Sequence, residues 1–228
     1  MSVKKLGDKI VEDLLAQLGS GRLREGSTIP SETALCADYK VTRGVVREAI
    51  RSLDARGFIK VAQGVRSTIS PAHEWNILDP IWVSLNSDTS YLGDLHVTRE
   101  MIEPEIAALA ALNATKEDIQ ELRYLLNQQQ SCADDAEALA RIDIAWHCAL
   151  SRATHNRILV HMHNSMVNLG VKTRIETTKF PGAIEEAAHW HEEIIKAIEN
   201  KDSNLAKATM RVHLSIVQGA LEQAISAR

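Results

Sequence analysis

The sequence predicts a mainly α protein in two parts, three helices with a β-hairpin followed by an all-α antiparallel helical bundle. Three observations carry this. Apolar residues recur at helical spacing through most of the chain, and the one short β-branched stretch, residues 58–70, is interrupted at Gln63-Gly64. Aromatics make up 4% of 228 residues and prolines number five, a poor composition for a β-sandwich. Charge divides the chain: residues 1–70 hold 12 Lys/Arg against 8 Asp/Glu, and the rest hold 14 against 22. A basic part joined to an acidic part points to two domains with different partners, the basic one suited to a polyanion.

Each element follows from its own residues. Leu6, Ile10, Val11, Leu14, Leu15 and Leu18 place an amphipathic helix over 5–18, ended by Gly19-Ser20-Gly21. Gly26 and Pro30 mark a connector. Ser31 caps a short helix through Asp38 that buries Ala34 and Leu35, and Tyr39-Lys40-Val41 turns the chain. Thr42 caps a helix to about Arg56, closed by Gly57, and Phe58 to Ser70 read as a two-stranded hairpin. Helices are then expected at 76–86, 94–113, 115–131, 134–154, 156–178, 183–200 and 202–226. Asn113, Asn156, Pro181-Gly182 and Asn200 separate them, and Pro104 is expected to kink or open its helix. The domain expectation is 1–70, a linker with a short helix over 71–89, and the bundle over 90–228.

Composition also narrows the setting. No run of 18 uncharged apolar residues exists for a membrane span, and the N-terminal residues lack the apolar core of a signal peptide. Cys36, Cys132 and Cys148 are far apart and odd in number, which fits a reducing cytoplasm better than a disulfide framework.

Helix, helix, tight turn, helix, hairpin is the order of a winged helix-turn-helix. In its third helix Val45, Val46, Ala49, Ile50 and Leu53 form an inward stripe. Arg43, Arg47 and Arg51 recur every four residues beside it, a row able to reach phosphates and guanine edges in a major groove. Thr42 and the helix N-terminus add phosphate donors. Lys60, Gln63, Gly64 and Arg66 would give the wing a basic tip. A bland reading makes the row a solvated face paired with acids such as Glu48 and Asp54. The position of the row on the helix that this topology exposes favours double-stranded DNA.

Residues 19–70 resemble the GntR-type winged helix-turn-helix. The resemblance rests on Gly21-Arg22-Leu23, Gly26, Ile29-Pro30-Ser31-Glu32, Leu35, Val41-Thr42-Arg43, Val46-Arg47-Glu48-Ala49-Ile50, Leu53 and Gly57-Phe58-Ile59. It implies DNA contacts from Thr33, Thr42, Arg43, Val45, Arg47 and the wing around Gly64. Thr33 stands where an arginine is frequent, Gly44-Val45 replace small hydroxyl residues, and the wing reads Gly64-Val65-Arg66.

Seven of nine histidines fall between His147 and His213. Asp143 and His147 are four apart and share a helix face, while His191 and His213 lie on the last two expected helices. A bundle core can bring one carboxylate and three imidazoles together, a donor set for a divalent metal, zinc first and nickel, manganese or iron next. His155, His161, His163 and His189 read as ordinary core or surface residues, since 161 and 163, like 189 and 191, cannot share a face.

Residues 90–225 resemble the FCD effector domain of the FadR-like branch of the same family. The match includes Arg99-x-x-x-Glu103, Ala107 to Ala111, Asp143-x-x-x-His147 with Leu150 and Asn156, His191-x-x-Ile194-x-x-Ala197-Ile198, Asp202, Ala206 and Met210-x-x-His213. It implies that Asp143, His147, His191 and His213 are metal ligands and that Arg99 binds an effector carboxylate. Arg99 read alone is a surface pair with Glu103. Lys172, Arg174 and Lys179 are further pocket candidates, or a solvated face. Glu74 to Pro80 looks like the segment of sugar-acid regulators of the galactonate type, which serves only to rank sugar acids first among effectors; its plainer reading is a Trp and a Leu that anchor the linker to the bundle.

The resulting expectation is a homodimeric regulator, most simply a repressor, that binds a palindromic operator and leaves it when a small carboxylate docks at the metal. Two alternatives stay open from sequence. One is a metal-responsive regulator with no organic effector. The other is a metal-dependent enzyme, for which no general base stands out, since Glu192 and Glu193 point away from their neighbour His191.

Overall fold

The computed structural model describes residues 3–61, 66–86, 89–132, 135–171, 174–175 and 182–226. They fall into two compact units, Met1–Ser87 and Asp88–Arg228.

In the first unit, α1 (Val3–Gly19), α2 (Glu32–Tyr39) and α3 (Arg43–Ala55) precede two short strands, β1 (Ile59–Lys60) and β2 (Thr68–Ile69). The strands pair antiparallel, Ile59 opposite Ile69 and Lys60 opposite Thr68, and Thr28 bridges to Thr68. Ser31 caps α2 by accepting from the Ala34 N–H, while Thr42 stands at the N-cap of α3 without a side-chain capping bond. Lys40 turns the chain between them in the left-handed region, at φ 53°. α1 buries Ile10, Val11, Leu14, Leu15 and Leu18 and packs on α3, which buries Val46, Ala49, Ile50 and Leu53. Each of the Val, Leu and Ile side chains contributes about 1.5–3 kcal/mol when fully buried.

Of the stretch 71–89, expected as a linker with a short helix, residues 71–86 are built into this unit. α4 (Pro80–Asn86), capped by the Asp79 carboxylate, packs on α1. Trp82 stacks on the fully buried Phe58 at 5.2 Å between centroids, and Trp75 closes on Trp82 at 5.5 Å. The Trp75 indole N–H donates to the Ser70 carbonyl at 2.8 Å, and Arg56 meets Asp79 at 3.2 Å. Two tryptophans supply apolar area that the turn-rich look of the segment conceals.

The second unit comprises α5 (Thr89–Asn113), α6 (Lys116–Ser131), α7 (Ala136–Arg152), α8 (Arg157–Val167), a 3-10 turn (Asn168–Gly170), α9 (Ala183–Glu199) and α10 (Ser203–Ser226). α10 packs along α5 and α9, α6 against α7 and α9, and α7 against α5 and α8. Ile106, Ala110, Leu122, Leu150, Ile194, Ile195, Met210 and Leu214 fill the core. α5 begins before the expected Asp94 and continues through Pro104. Its packing on α7, α8, α9 and α10 outweighs the roughly 3 kcal/mol that an interior proline costs.

The single helix expected over 156–178 is not formed. α8 ends at Val167, and the 3-10 turn follows. A Cβ at Gly170 would lie 2.2 Å from Arg174 Nη1, so the guanidinium packs close over this backbone. Among the described residues, no helix is long and apolar enough to cross a membrane.

Candidate functional site

Asp143 and His147 lie one turn apart on α7, His191 on α9 and His213 on α10. The stripes that pack these helices together carry the three histidines inward: His147 is 1% exposed, His191 0% and His213 2%. One ring nitrogen from each lies within 4.8 Å of the others. Asp143 borders this cluster, its Oδ1 3.6 Å from His191 Nε2 and its Oδ2 3.7 Å from His147 Nε2.

Those two Nε2 atoms are buried and have no hydrogen-bond partner. Leaving a buried polar atom unmet costs about 1–3 kcal/mol each. Burial pushes the His191 imidazole down to about 3, and it also holds His147 and His213 below the usual histidine range. All three are neutral near pH 7 and keep a lone pair, the form in which histidine binds a metal. Burial pushes the Asp143 carboxyl up, but Arg174 and the surrounding imidazoles outweigh it and keep Asp143 ionised. Three neutral imidazoles and one carboxylate fit a divalent ion of the zinc class.

A second layer surrounds the cluster. Arg174 ion-pairs with Asp143. Glu103 on α5, fully buried, accepts from Arg99 Nε at 2.7 Å and Nη2 at 3.3 Å. It also lies 3.1 Å from His147 Nδ1 and 3.6 Å from His163 Nε2. Burial raises the Glu103 carboxyl, yet Arg99 and His147 hold it well below the usual carboxylate range. Gln129 on α6 meets His191 Nδ1 at 3.1 Å, and Trp146 stacks on the His191 ring.

The structure brings Asp143, His147, His191, His213 and Arg174 into one site. Arg99 borders it, but its pair with Glu103 is buried, not a surface pair. Lys172 and Lys179 lie outside the described residues. His155, His161 and His189 are exposed, the first bonded to Asp118 at 2.8 Å. His163, expected to be an ordinary core or surface residue, is a core one, 1% exposed and facing Glu103. Gln129, Trp146, His163 and the hub role of Glu103 were not read from sequence. Only Glu103 carried a signal, as the residue one turn after Arg99.

The basic face lies on the first unit. Thr33, Thr42, Arg43, Arg47, Arg51 and Arg66 are exposed. Arg47 leans on Glu32 at 3.1 Å and Arg51 on Glu48 at 3.8 Å, exposed pairs worth little to stability. Lys60 pairs with Glu74 at 2.6 Å. Val45 is half-buried and its Cγ1 lies toward Gly7 of α1. Gln63 and Gly64, the expected wing tip, lie outside the described residues.

Comparison with known proteins agrees with both parts. The FCD domain model matches residues 94–215, and the model of bacterial regulatory proteins of the gntR family matches residues 6–69. The galactonate operon transcriptional repressor of Escherichia coli (strain K12) is 29% identical over 209 residues, covering 88% of this chain and 90% of its own. The transcriptional regulator LutR of Bacillus subtilis (strain 168) is 28% identical, covering 89% and 94%. Among solved structures, a GntR of Streptococcus agalactiae superposes with a TM-score of 0.52 at 27% identity, covering 95% of this chain and 100% of its own. Lar, which controls the expression of the Listeria monocytogenes agr system, superposes at 0.67 and 19% identity over 97% of each chain, a likeness of fold.

Proposed function

The chain belongs to the FCD-domain group of gntR-family transcriptional regulators, a family of DNA-binding regulators and not of enzymes, and we propose that it represses an operon for carboxylate breakdown until a small carboxylate docks at a metal in its bundle. The observation that carries this reading is the pair of orphaned, buried Nε2 atoms on His147 and His191, set beside Asp143 and a third neutral imidazole on His213.

Charge supports an anionic effector. Arg99 and Arg174 are matched by Glu103 and Asp143, and the histidines are neutral. A divalent ion held by Asp143, His147, His191 and His213 would therefore leave a buried surplus of positive charge, which favours an anion. Such an ion supplies open positions for oxygen donors. Glu103 engages two donors of Arg99, and a guanidinium has five, so Arg99 can hold an effector carboxylate beside Glu103. The relative that regulates a galactonate operon puts sugar acids first, since a 2-hydroxy acid offers a carboxylate and a hydroxyl to one metal.

On the DNA side, Arg43 and Arg47 are the proposed groove-reading residues, with Thr33, Thr42 and Arg66 on phosphates. Val45 contributes at most an apolar contact. Two copies of the chain would meet the half-sites of a palindrome. Effector and operator must then oppose each other reciprocally: each weakens the other's binding by the same factor.

The test is operator release. An operator is first selected from random DNA with the full chain. Fluorescence anisotropy then follows the complex with galactonate and related hydroxy acids, with and without a chelator. Release by a hydroxy acid that needs the metal supports the proposal. DNA affinity that follows metal alone, with no response to any acid, favours a metal-responsive regulator.

A further inference from the structure

We propose that Gln129 is a positioning residue for the metal: it holds the proton of His191 on Nδ1 and so turns a bare Nε2 toward the cluster. This rests on the metal-anchored reading above.

Gln129 Oε1 lies 3.1 Å from His191 Nδ1, and both side chains are buried, Gln129 at 4% exposure and His191 at 0%. An amide oxygen only accepts hydrogen bonds, so the ring proton of neutral His191 sits on Nδ1. Neutral imidazole in water favours the other tautomer, with the proton on Nε2. Here that tautomer would set Nδ1 against an acceptor oxygen and would bury an N–H with no acceptor in range. Asp143 Oδ1 is 3.6 Å from Nε2, beyond hydrogen-bond reach, and Nε2 has no other partner. The face of the ring is fixed as well: Trp146 lies parallel to it at 3.8 Å between centroids. A 180° ring flip, which would exchange Nδ1 with Cδ2 and Nε2 with Cε1, breaks the Gln129 bond and turns Nε2 away from Asp143.

The choice of an amide is itself informative. His147, the other ligand with an orphaned Nε2, has a carboxylate near its Nδ1, that of Glu103. A second carboxylate at position 129 would add buried negative charge and offset the surplus that an anionic effector needs. Gln129 orients its ligand and leaves the charge of the site unchanged. Partners of this kind, bonded to the far nitrogen of a ligating histidine, change metal affinity about 10–100-fold when removed.

The test uses the full chain, with 15N-labelled histidine, stripped of metal and then titrated with Co2+ against a competing chelator. In the stripped wild type, long-range 1H–15N spectra should place the His191 proton on Nδ1, the signals being assigned by their loss in His191→Gln. Gln129→Leu should move the proton toward Nε2 and weaken Co2+ binding about 10–100-fold. Gln129→Glu, which keeps the acceptor, should restore the tautomer and bring Co2+ affinity to within about threefold of wild type. Should Gln129→Leu unfold, the wild-type tautomer and Gln129→Met carry the same test. A His191 proton on Nε2 in the wild type overturns the proposal. So does Co2+ affinity that Gln129→Leu leaves unchanged while the wild type binds Co2+ well. Absence of Co2+ uptake by the wild type fails the metal reading itself and takes this proposal with it.

Discussion

Trp146 lies flat on His191, their ring centroids 3.8 Å apart and their planes 14° from parallel. Trp146 is fully buried, so its side chain also fills the centre of the second unit. Trp146→Ala should destabilise the stripped protein by about 3–5 kcal/mol through the cavity it leaves. Trp146→Phe keeps most of the plate and should cost less while retaining metal. Urea denaturation with a metal titration checks both, and a Trp146→Ala protein of unchanged stability and metal affinity would remove the plate from the account.

Stability of the metal-stripped protein should fall as the pH is lowered from about 6.5. His147, His191 and His213 are held below the ordinary histidine range when folded, and His191 down to about 3. The unfolded chain then takes up protons that the folded chain refuses. Their contribution is complete above pH 6.5 and is lost as pH falls toward the folded values, by about 1.4 kcal/mol per pH unit for each histidine that stays neutral. Glu103 and Asp143 are shifted down as well, and their contribution is lost only below the ordinary carboxylate range. Denaturation midpoints at pH 8, 7, 6 and 5 test the sign. A flat profile between 7 and 5 would contradict neutral, buried histidines.

The packing of residues 71–86 on the winged unit gives a contrast between two glycines. Gly57 sits at φ 75°, and a Cβ there would lie 2.2 Å from the Glu74 backbone carbonyl. Gly57→Ala should cost at least the 1–3 kcal/mol typical of a strained left-handed residue. A Cβ at Gly19 meets only the Asn86 amide, a side-chain end that can swing aside, so Gly19→Ala should cost less. Thermal denaturation of the two full-length variants ranks them. The fragment 1–87 should also fold and 1–70 should not, because 1–70 uncovers Phe58 where Trp75 and Trp82 close over it.

Arg43→Ala and Arg47→Ala should leave stability within about 0.5 kcal/mol of wild type, since both side chains are exposed. Each should weaken operator binding by about 1–3 kcal/mol and leave the effector response of the bundle intact. Anisotropy on the selected operator measures the first effect and a thermal shift with effector the second. Retained operator affinity in both variants would move DNA recognition off α3.

The winged unit was legible in the sequence because its signals are local. Ser31 and Gly57 punctuate it, and the stripe Val46, Ala49, Ile50, Leu53 points α3 inward. The start of α6 at 115 was also expected, and there Thr115 caps the helix. The four polar residues at the centre of the bundle were also named, since Asp143 and His147 share one helix face and family resemblance supplied His191 and His213. What surrounds them was not legible. Gln129 and His191 are 62 positions apart, and no periodicity marks a lone glutamine on a helix. His163 was discounted by its spacing from His161, although that spacing simply puts one ring outside and the other inside. The break after Val167 escaped notice because it carries no proline. The segment 71–86 was expected to anchor on the bundle, whereas Trp75 and Trp82 find their partner in Phe58 of the winged unit, a pairing visible only in space.

The most direct measurement is a thermal-shift screen of sugar acids, other hydroxy acids and dicarboxylates, run on metal-loaded and chelator-stripped full-length protein. A ligand at 100 times its dissociation constant stabilises by about 2.7 kcal/mol, a readily visible shift. A hydroxy acid that stabilises the loaded protein and has no effect on the stripped protein is the expected result. An acid that stabilises both forms equally would place the effector away from Asp143, His147, His191 and His213, and the metal-anchored pocket would have to be abandoned.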